Sequence, residues 1–218
     1  MNKIKEKLVA FDLDGTLIDS AKDFHSCLNI LVKKHNINQI SYEDVRERVS
    51  EGSYSLIRYA FDSHEKEQVE DLREELLNLY QENCLEKTTI FEGAEDLINF
   101  LNETQINWCI VTNKPRRFAE KIVNHFFPSL ERDMLFCPDE FIEPKPSPKG
   151  PLLACHETKC KPSSSFFIGD HHIDILAGNK ADMQTIAVDY GYRKKDDYIE
   201  DWGANYIVSD LKEIINLI

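Results

Sequence analysis

Residues 8–20, LVAFDLDGTLIDS, decide the fold predicted for this chain. The segment opens with four apolar residues, as is typical of a short buried strand, and its Asp14-Gly15 pair marks the end of that strand. Because the carboxyl ends of parallel strands face the ligand crevice, Asp12 and Asp14 are predicted to lie at a functional site. Solvated acids before a turn are an alternative explanation of a bare Asp-x-Asp, whereas the full string DLDGTL is more specific. Two carboxylates at a strand end need a cation, a shared proton or a reaction.

From residue 88 onward, short runs of β-forming residues alternate with helix-like segments. Strands are predicted at residues 107–112, 134–137, 165–169, 185–188 and 206–208. Helices are predicted between them, at residues 93–103, 115–125, 148–158 and 174–181. Such alternation is typical of a parallel sheet with helices on both faces. The predicted fold class is therefore α/β, with a Rossmann-like doubly wound parallel sheet as its core.

Residues 20–87 break this rhythm, because they show helical spacing and no convincing strand. Ser20 and Asp23 are predicted to form a capping box at the start of a helix. Apolar positions at helical spacing predict two helices, with Phe24, Leu28, Leu31 and Val32 in one and Val69, Leu72, Leu76, Leu77 and Tyr80 in the other. We therefore expect a discontinuous core of residues 1–17 and 88–218, with residues 18–87 inserted as an all-helical cap domain. Hinges are expected near residues 18–20 and 86–89.

Composition restricts the partners of the chain. Its 218 residues are 42% hydrophobic, which suits a globular protein with a full core, and its formal net charge is -13. Neither nucleic acid nor a membrane is expected as a partner, because so acidic a surface repels both phosphate backbones and anionic lipids. No stretch approaches the length of a transmembrane helix.

The six cysteines indicate a reduced, cytoplasmic protein. Two of them, Cys109 and Cys137, lie in strand-like runs, where a buried free thiol is the ordinary state. Cys155-His156 with Cys160 is a weak metal pattern, because its spacing fits no common zinc site.

Four groups of polar residues follow predicted strands and would converge on one edge of one sheet. They are Asp12 with Asp14, Thr112-Asn113-Lys114, Lys145, and Gly169-Asp170 followed by Asp174. Taken singly, each has a structural explanation. Thr112 and Asn113 suit a helix cap, Lys145 suits the surface, and Asp174 suits a helix N-terminus. Their convergence is what favours a functional site.

The combined chemistry is that of phosphoryl transfer. Asp12, Asp14 and Asp170 supply the hard oxygen ligands that Mg²⁺ prefers. Thr112 and Lys145 supply a hydroxyl and a fixed positive charge for phosphoryl oxygens. One carboxylate can attack phosphorus, while a second protonates the leaving oxygen and then activates water.

In order, residue type and position, the four groups resemble the signature motifs of the haloacid dehalogenase superfamily. The resemblance covers the α/β part of the chain, and the helical insertion lies where that superfamily often carries a mobile cap. It implies that Asp12 is the nucleophile and Asp14 the general acid/base. It implies that Mg²⁺ is held by the side chains of Asp12 and Asp170 and the backbone carbonyl of Asp14. It further implies that Asp174 supports the metal site and that the phosphoryl group is bound by Thr112, Asn113 and Lys145.

The acid at position 14 distinguishes two branches of that superfamily. Members that cleave carbon–halogen bonds lack it, because a halide needs no proton, so the resemblance implies a phosphatase acting on a small phosphorylated metabolite. The strings DGTLIDS and VTNKP look most like phosphoglycolate phosphatase and its relatives. That group has a glycine-containing cap loop over the site, which makes Gly52, within residues 50–54, a candidate substrate-binding residue.

Two features depart from the phosphoglycolate phosphatase pattern. His171 stands where serine or threonine is usual, and it and His172 either contact phosphate or metal or lie exposed at a helix start. Glu51 is an unusual neighbour for a phosphate ester. A nearby arginine would offset its charge unless each of them belongs to a solvated helix face; the candidates are Arg46, Arg48 and Arg58.

Three other functions are compatible with the same core. One is a phosphomutase resembling β-phosphoglucomutase, and another is a nucleotide or pyrophosphate phosphohydrolase. The third is a non-catalytic binding protein, which is disfavoured because every expected catalytic residue is present.

Overall fold

The computed structural model of the protein describes residues 6–62, 65–139 and 143–218. These residues fall into two units. The core unit comprises the described chain up to Ile18, Ile90–Gly191 and Asp196–Ile218, and the helical unit comprises Asp19–Thr89 and Tyr192–Lys195. The expected division assigned all of residues 88–218 to the core, so the placement of Tyr192–Lys195 differs from it. Residues 1–5 of the expected core lie outside the described residues.

The secondary structure alternates as the sequence predicts. The strands are β1 (Leu8–Phe11), β2 (Ile18–Asp19), β3 (Thr89–Ile90), β4 (Asn107–Val111), β5 (Leu135–Phe136), β6 (Phe166–Gly169), β7 (Gln184–Val188) and β8 (Tyr206–Val208). The helices are α1 (Ala21–Lys34), α2 (Tyr42–Arg46), α3 (Gly52–Phe61), α4 (Lys66–Asn83), α5 (Ala94–Thr104), α6 (Arg116–Phe126), α7 (Lys149–Thr158) and α8 (His172–Lys180). Every strand and helix predicted after residue 88 is present, with its ends within about two residues of the expected bounds.

The main sheet has the strand order β5-β4-β1-β6-β7-β8, and neighbouring strands run parallel. After β1 the chain adds β4 and β5 on one side of it and then β6, β7 and β8 on the other. The boundary between β1 and β6 is therefore the topological switch point, where open α/β sheets bind ligands at the carboxyl ends of their strands. Phe11 lies opposite Ile110 of β4 and Ile168 of β6, so the loops after these three strands begin at the same level. The α/β fold class is confirmed.

Both faces of the main sheet are covered, as a parallel sheet requires. On one face Leu8 and Ala10 pack with Ala154 and Cys155 of α7 in a hydrophobic cluster. On the other face Phe11 contacts Trp108 edge to face, with ring centroids 6.5 Å apart. The two-residue strands β2 and β3 pair with each other where the chain passes between the units.

The helical unit is held together by α1 and α4. All the apolar residues predicted to form their inner faces are buried, and the Phe24 and Tyr80 rings stack with centroids 3.9 Å apart. The Asp23 carboxylate accepts hydrogen bonds from the backbone N–H groups of Lys87 and Thr88, each at 2.9 Å. These bonds tie the start of α1 to the segment that follows α4.

The predicted capping box at Ser20 and Asp23 is wrong. The Ser20 side chain makes no capping hydrogen bond, since the acid that would complete the box is engaged elsewhere. Tyr192 takes over this task, because its hydroxyl oxygen accepts from the N–H groups of Ser20 (2.7 Å) and Ala21 (3.0 Å). The same hydroxyl donates to Asp19 Oδ1 at 2.8 Å. A tyrosine more than 170 positions away thus satisfies the start of α1, which a local motif could not reveal.

All six cysteines are buried free thiols. Cys155 and Cys160 lie in the hydrophobic cluster under the main sheet, and His156 is exposed beside Glu157. The weak Cys155-His156-Cys160 pattern therefore marks part of the core. Among the helices of the described residues, none is long and apolar enough to cross a membrane.

Candidate active site

The loops after β1 and β6 carry three buried carboxylates. Asp12 follows β1 directly, Asp170 follows β6 directly, and Asp174 lies in the first turn of α8. The N–H of Asp12 donates to the carbonyl of Ile168 at 2.8 Å, which holds the two loops side by side. Each acid offers one carboxylate oxygen, and these oxygens lie within 4.8 Å of one another. The cluster is thus a direct consequence of the pairing of β1 with β6.

Lys145 lies among these acids and is only 4% exposed, which excludes the surface-lysine explanation. Its ammonium nitrogen lies 2.6 Å from Asp12 Oδ1 and 2.7 Å from Asp174 Oδ1. Burial acts to lower the pKa of Lys145, but the two carboxylates outweigh it and the pKa is raised. The lysine is therefore a fixed positive charge beside Asp12.

Burial is the main influence on the Asp12 carboxyl. It raises the pKa of Asp12 from 3.8 to about 6; Lys145 acts to lower that pKa, and Asp174 and Asp14 act to raise it. A further positive charge beside Asp12 would favour its ionised form, which is the form that can act as a nucleophile.

Asp14 lies two residues beyond Asp12 and is held by a different lysine. Its carboxylate oxygens lie 2.8 Å and 3.1 Å from the ammonium nitrogen of Lys114. Lys114 is itself buried, with 5% of its side chain exposed. From the sequence, Lys114 was grouped with Thr112 and Asn113 but had no assigned role. Its contact with Asp14 depends on the register of β1 against β4, which a single sequence does not show.

Thr112 and Asn113 shape the loop that follows β4. The Thr112 hydroxyl accepts from the N–H of Lys114 at 3.1 Å, so it closes a turn before α6. Asn113 Oδ1 accepts from the N–H of Lys145 at 2.9 Å, and its Nδ2 donates to the carbonyl of Lys145 at 3.0 Å. Both ends of the Asn113 amide are thereby joined to the main chain of Lys145. The sequence did not indicate this contact, and binding of phosphate by Thr112 and Asn113 stays a prediction.

Asp174 connects the acid cluster to the start of α8. Its Oδ2 accepts from the N–H of His171 at 3.1 Å, and His171 Nδ1 accepts from the N–H of Ile173 at 3.5 Å. Together these bonds form a capping box. The histidine pair therefore lies at a helix start, with His171 half-buried as the cap residue and His172 exposed.

Two glycines leave the space that Asp170 occupies. A Cβ at Gly15 would lie 2.1 Å from Asp170 Oδ2, and a Cβ at Gly191 would lie 2.1 Å from Asp170 Cβ. Gly15 also has a φ of +85°, which favours glycine. The sequence indicated Gly15 as a turn residue but gave no sign of Gly191, whose approach to Asp170 depends on the pairing of β6 with β7.

Thr16 supports Asp170 from the turn after β1. Its hydroxyl lies 3.2 Å from Asp170 Oδ1 and donates to it, while its carbonyl accepts from the Tyr190 hydroxyl at 2.8 Å. Burial and the nearby Asp170 raise the pKa of Tyr190, so this hydroxyl remains a donor. Neither Thr16 nor Tyr190 was expected from the sequence to support Asp170.

Gly52, the predicted cap contact, lies in the helical unit. It joins a 3₁₀ turn, Val49–Glu51, to α3 with a φ of +84°, and a Cβ there would meet nothing within 4 Å. Glycine is thus needed for its backbone conformation rather than for room. Glu51 forms an ion pair with Lys194. The residues expected to offset the charge of Glu51 were three arginines and did not include this lysine. Substrate binding by Gly52 stays a prediction.

The core-unit residues fit a divalent metal ion. Three buried carboxylates surround one buried ammonium, so the ionised cluster carries an excess of negative charge. Carboxylate oxygens are the ligands that Mg²⁺ and Ca²⁺ prefer. Both carboxylate oxygens of Asp174 are engaged, Oδ1 by Lys145 and Oδ2 by the N–H of His171, so Asp12 and Asp170 are the better candidates to hold a metal.

Comparison with known proteins agrees with this geometry. Residues 9–188 match the haloacid dehalogenase-like hydrolase family. The chain is 36% identical over 219 residues to N-acetylmuramic acid 6-phosphate phosphatase of Pseudomonas aeruginosa, and the alignment covers 100% of this chain and 97% of that protein. It is 32% identical over 202 residues to phosphoglycolate phosphatase of Xanthomonas campestris, covering 93% of this chain and 91% of that protein.

A solved structure shows the same fold at lower identity. The haloacid dehalogenase-like hydrolase of Streptococcus pneumoniae superposes with a TM-score of 0.81 at 20% identity, covering 98% of each chain. The match over most of the chain, together with relatives above 30% identity along its length, settles the family. The chain belongs to the haloacid dehalogenase-like hydrolases and is a hydrolase that acts on phosphoric monoesters.

Proposed function

We propose that this chain is a Mg²⁺-dependent phosphatase that hydrolyses a small phosphorylated metabolite through an aspartyl-phosphate intermediate on Asp12. The observation that carries the proposal is the placement of a buried carboxylate, Asp12, 2.6 Å from a buried ammonium, Lys145, at the switch point of the sheet. A carboxylate paired in this way is poised beside the charge that an incoming phosphoryl group needs.

In the first step Asp12 attacks phosphorus and the bond to the leaving oxygen breaks. Lys145 stabilises the negative phosphoryl oxygens, and Asp14 donates a proton to the leaving oxygen. On the strength of its motif we also assign Thr112, which follows β4, to binding a phosphoryl oxygen. A bound Mg²⁺, held by Asp12, Asp170 and the backbone carbonyl of Asp14, would supply positive charge that reduces repulsion between the carboxylates and the phosphate.

In the second step Asp14 acts as a base. It takes a proton from water, and the oxygen of that water attacks phosphorus of the aspartyl phosphate, which releases inorganic phosphate and regenerates Asp12. Two carboxylates two residues apart thus divide nucleophilic and proton-transfer work between them.

For the substrate we propose a phosphate ester of a carboxylic acid. Both named relatives support this class, since N-acetylmuramic acid 6-phosphate and phosphoglycolate each combine a phosphate ester with an acid. N-acetylmuramic acid 6-phosphate is the first candidate, because that relative aligns with the whole chain at the higher identity. 2-Phosphoglycolate is the second, and it is the substrate that the sequence motifs favour.

The mechanism is tested with Asp12→Asn and p-nitrophenyl phosphate. The variant should lose turnover by several orders of magnitude and still unfold cooperatively, because asparagine cannot form the acyl phosphate. Asp96→Asn is the matched control, since this exposed acid pairs with Lys212 on the surface of the core unit. EDTA should stop wild-type turnover and added Mg²⁺ restore it. Wild-type rates in Asp12→Asn would show that Asp12 is not the nucleophile. Full activity in EDTA would show that the reaction does not depend on a metal ion.

The substrate class is tested by comparing kcat/KM for acids with kcat/KM for matched esters that lack the acid. N-Acetylmuramic acid 6-phosphate is compared with N-acetylglucosamine 6-phosphate, and 2-phosphoglycolate with ethyl phosphate. We expect at least a tenfold preference for one acid over its partner. Higher kcat/KM for a nucleotide or for pyrophosphate would assign the chain to another substrate class.

A further inference from the structure

We propose that Lys114 is a positioning residue that orients the Asp14 carboxylate for proton transfer. The inference rests on the proposed function, because it takes Asp14 as the acid/base of the reaction. No sequence motif assigns Lys114 a part in the chemistry; its contact with Asp14 is what points to one.

Backbone contacts with Ile18 hold the main chain of Asp14 in place. Asp14 forms a β-bridge with Ile18, and the N–H of the next residue, Gly15, donates to the carbonyl of Ile18 at 2.9 Å. These bonds set the position of the Asp14 Cα but leave its side-chain torsions open. The orientation of its carboxylate must therefore come from side-chain contacts.

Lys114 provides such a contact through both carboxylate oxygens. Its ammonium nitrogen lies 2.8 Å from Asp14 Oδ1 and 3.1 Å from Oδ2, and the lysine side chain is only 5% exposed. Contact with both oxygens holds the carboxylate end of the side chain toward the ammonium, so it restricts rotation of Asp14 about its Cα–Cβ bond. The ammonium therefore restricts the direction in which an oxygen of Asp14 can be presented.

Lys114 is itself anchored, so it can act as a reference point. Its N–H donates to the Thr112 hydroxyl at 3.1 Å, and the N–H of Thr112 donates to the carbonyl of Phe136 at 3.0 Å. The lysine thus extends from a turn that is tied to β5, on the opposite side of β1 from the Asp170 loop.

The site uses one lysine for each of its two reacting acids. Lys145 contacts Asp12 and Asp174, while Lys114 contacts Asp14. A purely structural alternative is that Lys114 only offsets the cost of a half-buried carboxylate. A second alternative is that Lys114 binds the substrate directly. For each of the three roles, loss of Lys114 should change kcat/KM with a different dependence on the leaving group of the ester. That dependence can be measured.

The test compares kcat/KM for phenyl phosphate and 2,4-dinitrophenyl phosphate, because kcat/KM reports the steps up to phosphoryl transfer. Phenoxide needs a proton as it leaves, whereas 2,4-dinitrophenoxide does not. Lys114→Met should lower kcat/KM for phenyl phosphate about ten- to a hundredfold more than for the dinitrophenyl ester, the size expected when an acid is misplaced. Lys212→Met, which breaks the surface pair with Asp96, is the control and should change neither value.

A double variant locates the effect on Asp14. If Lys114 acts through that acid, Asp14→Asn with Lys114→Met should be no slower on phenyl phosphate than Asp14→Asn alone. Equal losses on the two esters would show that Lys114 binds substrate, and multiplied losses would show that it acts independently of Asp14. Either result would overturn the proposal.

Two further measurements keep the result interpretable. Lys114→Arg keeps the charge but changes the donor geometry, so it should fold and show the same selective loss in smaller measure. A loss in Lys114→Arg as large on 2,4-dinitrophenyl phosphate as on phenyl phosphate would indicate substrate binding and overturn the proposal. If Asp14→Asn itself lacks leaving-group selectivity, the acid/base role in the proposed function fails, which is a different outcome from failure of Lys114 alone.

Discussion

At the scale of single residues, Asn113 is the side chain that sets the main-chain position of Lys145. Its amide makes a reciprocal pair of hydrogen bonds with the N–H and carbonyl of Lys145, at 2.9 Å and 3.0 Å. With Lys145 binding the phosphoryl group as proposed, Asn113→Ala should lower kcat/KM for p-nitrophenyl phosphate by about ten- to a hundredfold, because a small displacement of the ammonium would weaken that contact.

The helical unit offers a matched control for that variant. Asn29 makes the same reciprocal pair with the backbone of Ile40, at 2.8 Å and 3.0 Å. Asn29→Ala should cost a similar free energy of unfolding, about 1–2 kcal/mol, and leave kcat/KM nearly unchanged. Equal kinetic losses in the two variants would argue that Asn113 matters only for stability.

Gly191 gives a prediction about metal binding. Alanine there would bring its Cβ within 2.1 Å of Asp170 Cβ, an atom that cannot rotate away, so Asp170 must move. Gly191→Ala should lose about 1–3 kcal/mol of unfolding free energy and bind Mg²⁺ at least tenfold more weakly by isothermal titration calorimetry.

Gly203→Ala separates lost stability from lost metal affinity. Gly203 has a φ of +73°, and a Cβ there would meet only Asn179 Nδ2, at 4.0 Å. Alanine at this position should cost about 1 kcal/mol through backbone strain and leave Mg²⁺ affinity unchanged. Unchanged affinity in Gly191→Ala would show that Asp170 does not hold the metal.

At the scale of elements, the start of α1 depends on Tyr192. Its buried hydroxyl accepts from the N–H groups of Ser20 and Ala21 and donates to Asp19. Tyr192→Phe should lower the free energy of unfolding by about 1–3 kcal/mol in urea titrations, because the N–H groups of Ser20 and Ala21 lose a buried acceptor and Ala21 keeps only its longer bond to Asp19 Oδ1, at 3.3 Å. Tyr198→Phe, at a tyrosine that is 63% exposed, should change it by less than about 0.5 kcal/mol. Equal effects of the two variants would show that the hydroxyl of Tyr192 contributes nothing.

The sequence predicted the elements of the core because each carries its own pattern. Apolar runs such as residues 8–11 and 166–168 are short, β-rich and bounded by turn residues, and the helices α5 and α6 between them are amphipathic. The same pattern predicted the inner faces of α1 and α4. Local signals failed where a distant group competes, as at Ser20, whose expected partner Asp23 binds Lys87 and Thr88 instead.

The candidate site was predictable in its acids but not in its contacts. Asp12, Asp14 and Asp170 follow strands and belong to recognisable strings, so their types and positions along the chain are enough to identify them. The partners of Lys114 and the close approach of Gly191 depend on strand register and on which strands are neighbours. These are long-range properties, and a single sequence without its fold does not express them.

At the scale of the whole molecule, thiol chemistry reports on folding. All six cysteines are buried. Burial, followed by the effect of Asp23, raises the pKa of Cys27 to about 12, and burial raises that of Cys155 to about 11. Since the thiolate is the reactive form, native protein at pH 8 should react with Ellman's reagent only as it unfolds, and denatured protein should show six thiols at once. Rapid reaction of any thiol in the native protein would contradict the burial of that cysteine.

The four residues Tyr192–Lys195 determine where the chain can be cut to separate or exchange its two units. They follow Gly191 directly, yet they belong with Asp19–Thr89, so the chain crosses between the two units four times rather than twice. Excision of residues 19–89 would remove the partners of two of these residues. Tyr192 would lose its hydrogen bonds with Ser20 and Ala21, and Lys194 would lose its ion pair with Glu51. A chimera that borrows the helical unit of a relative must therefore take two segments of sequence, and a shuffled library cut only at the two obvious junctions would separate residues that fold together.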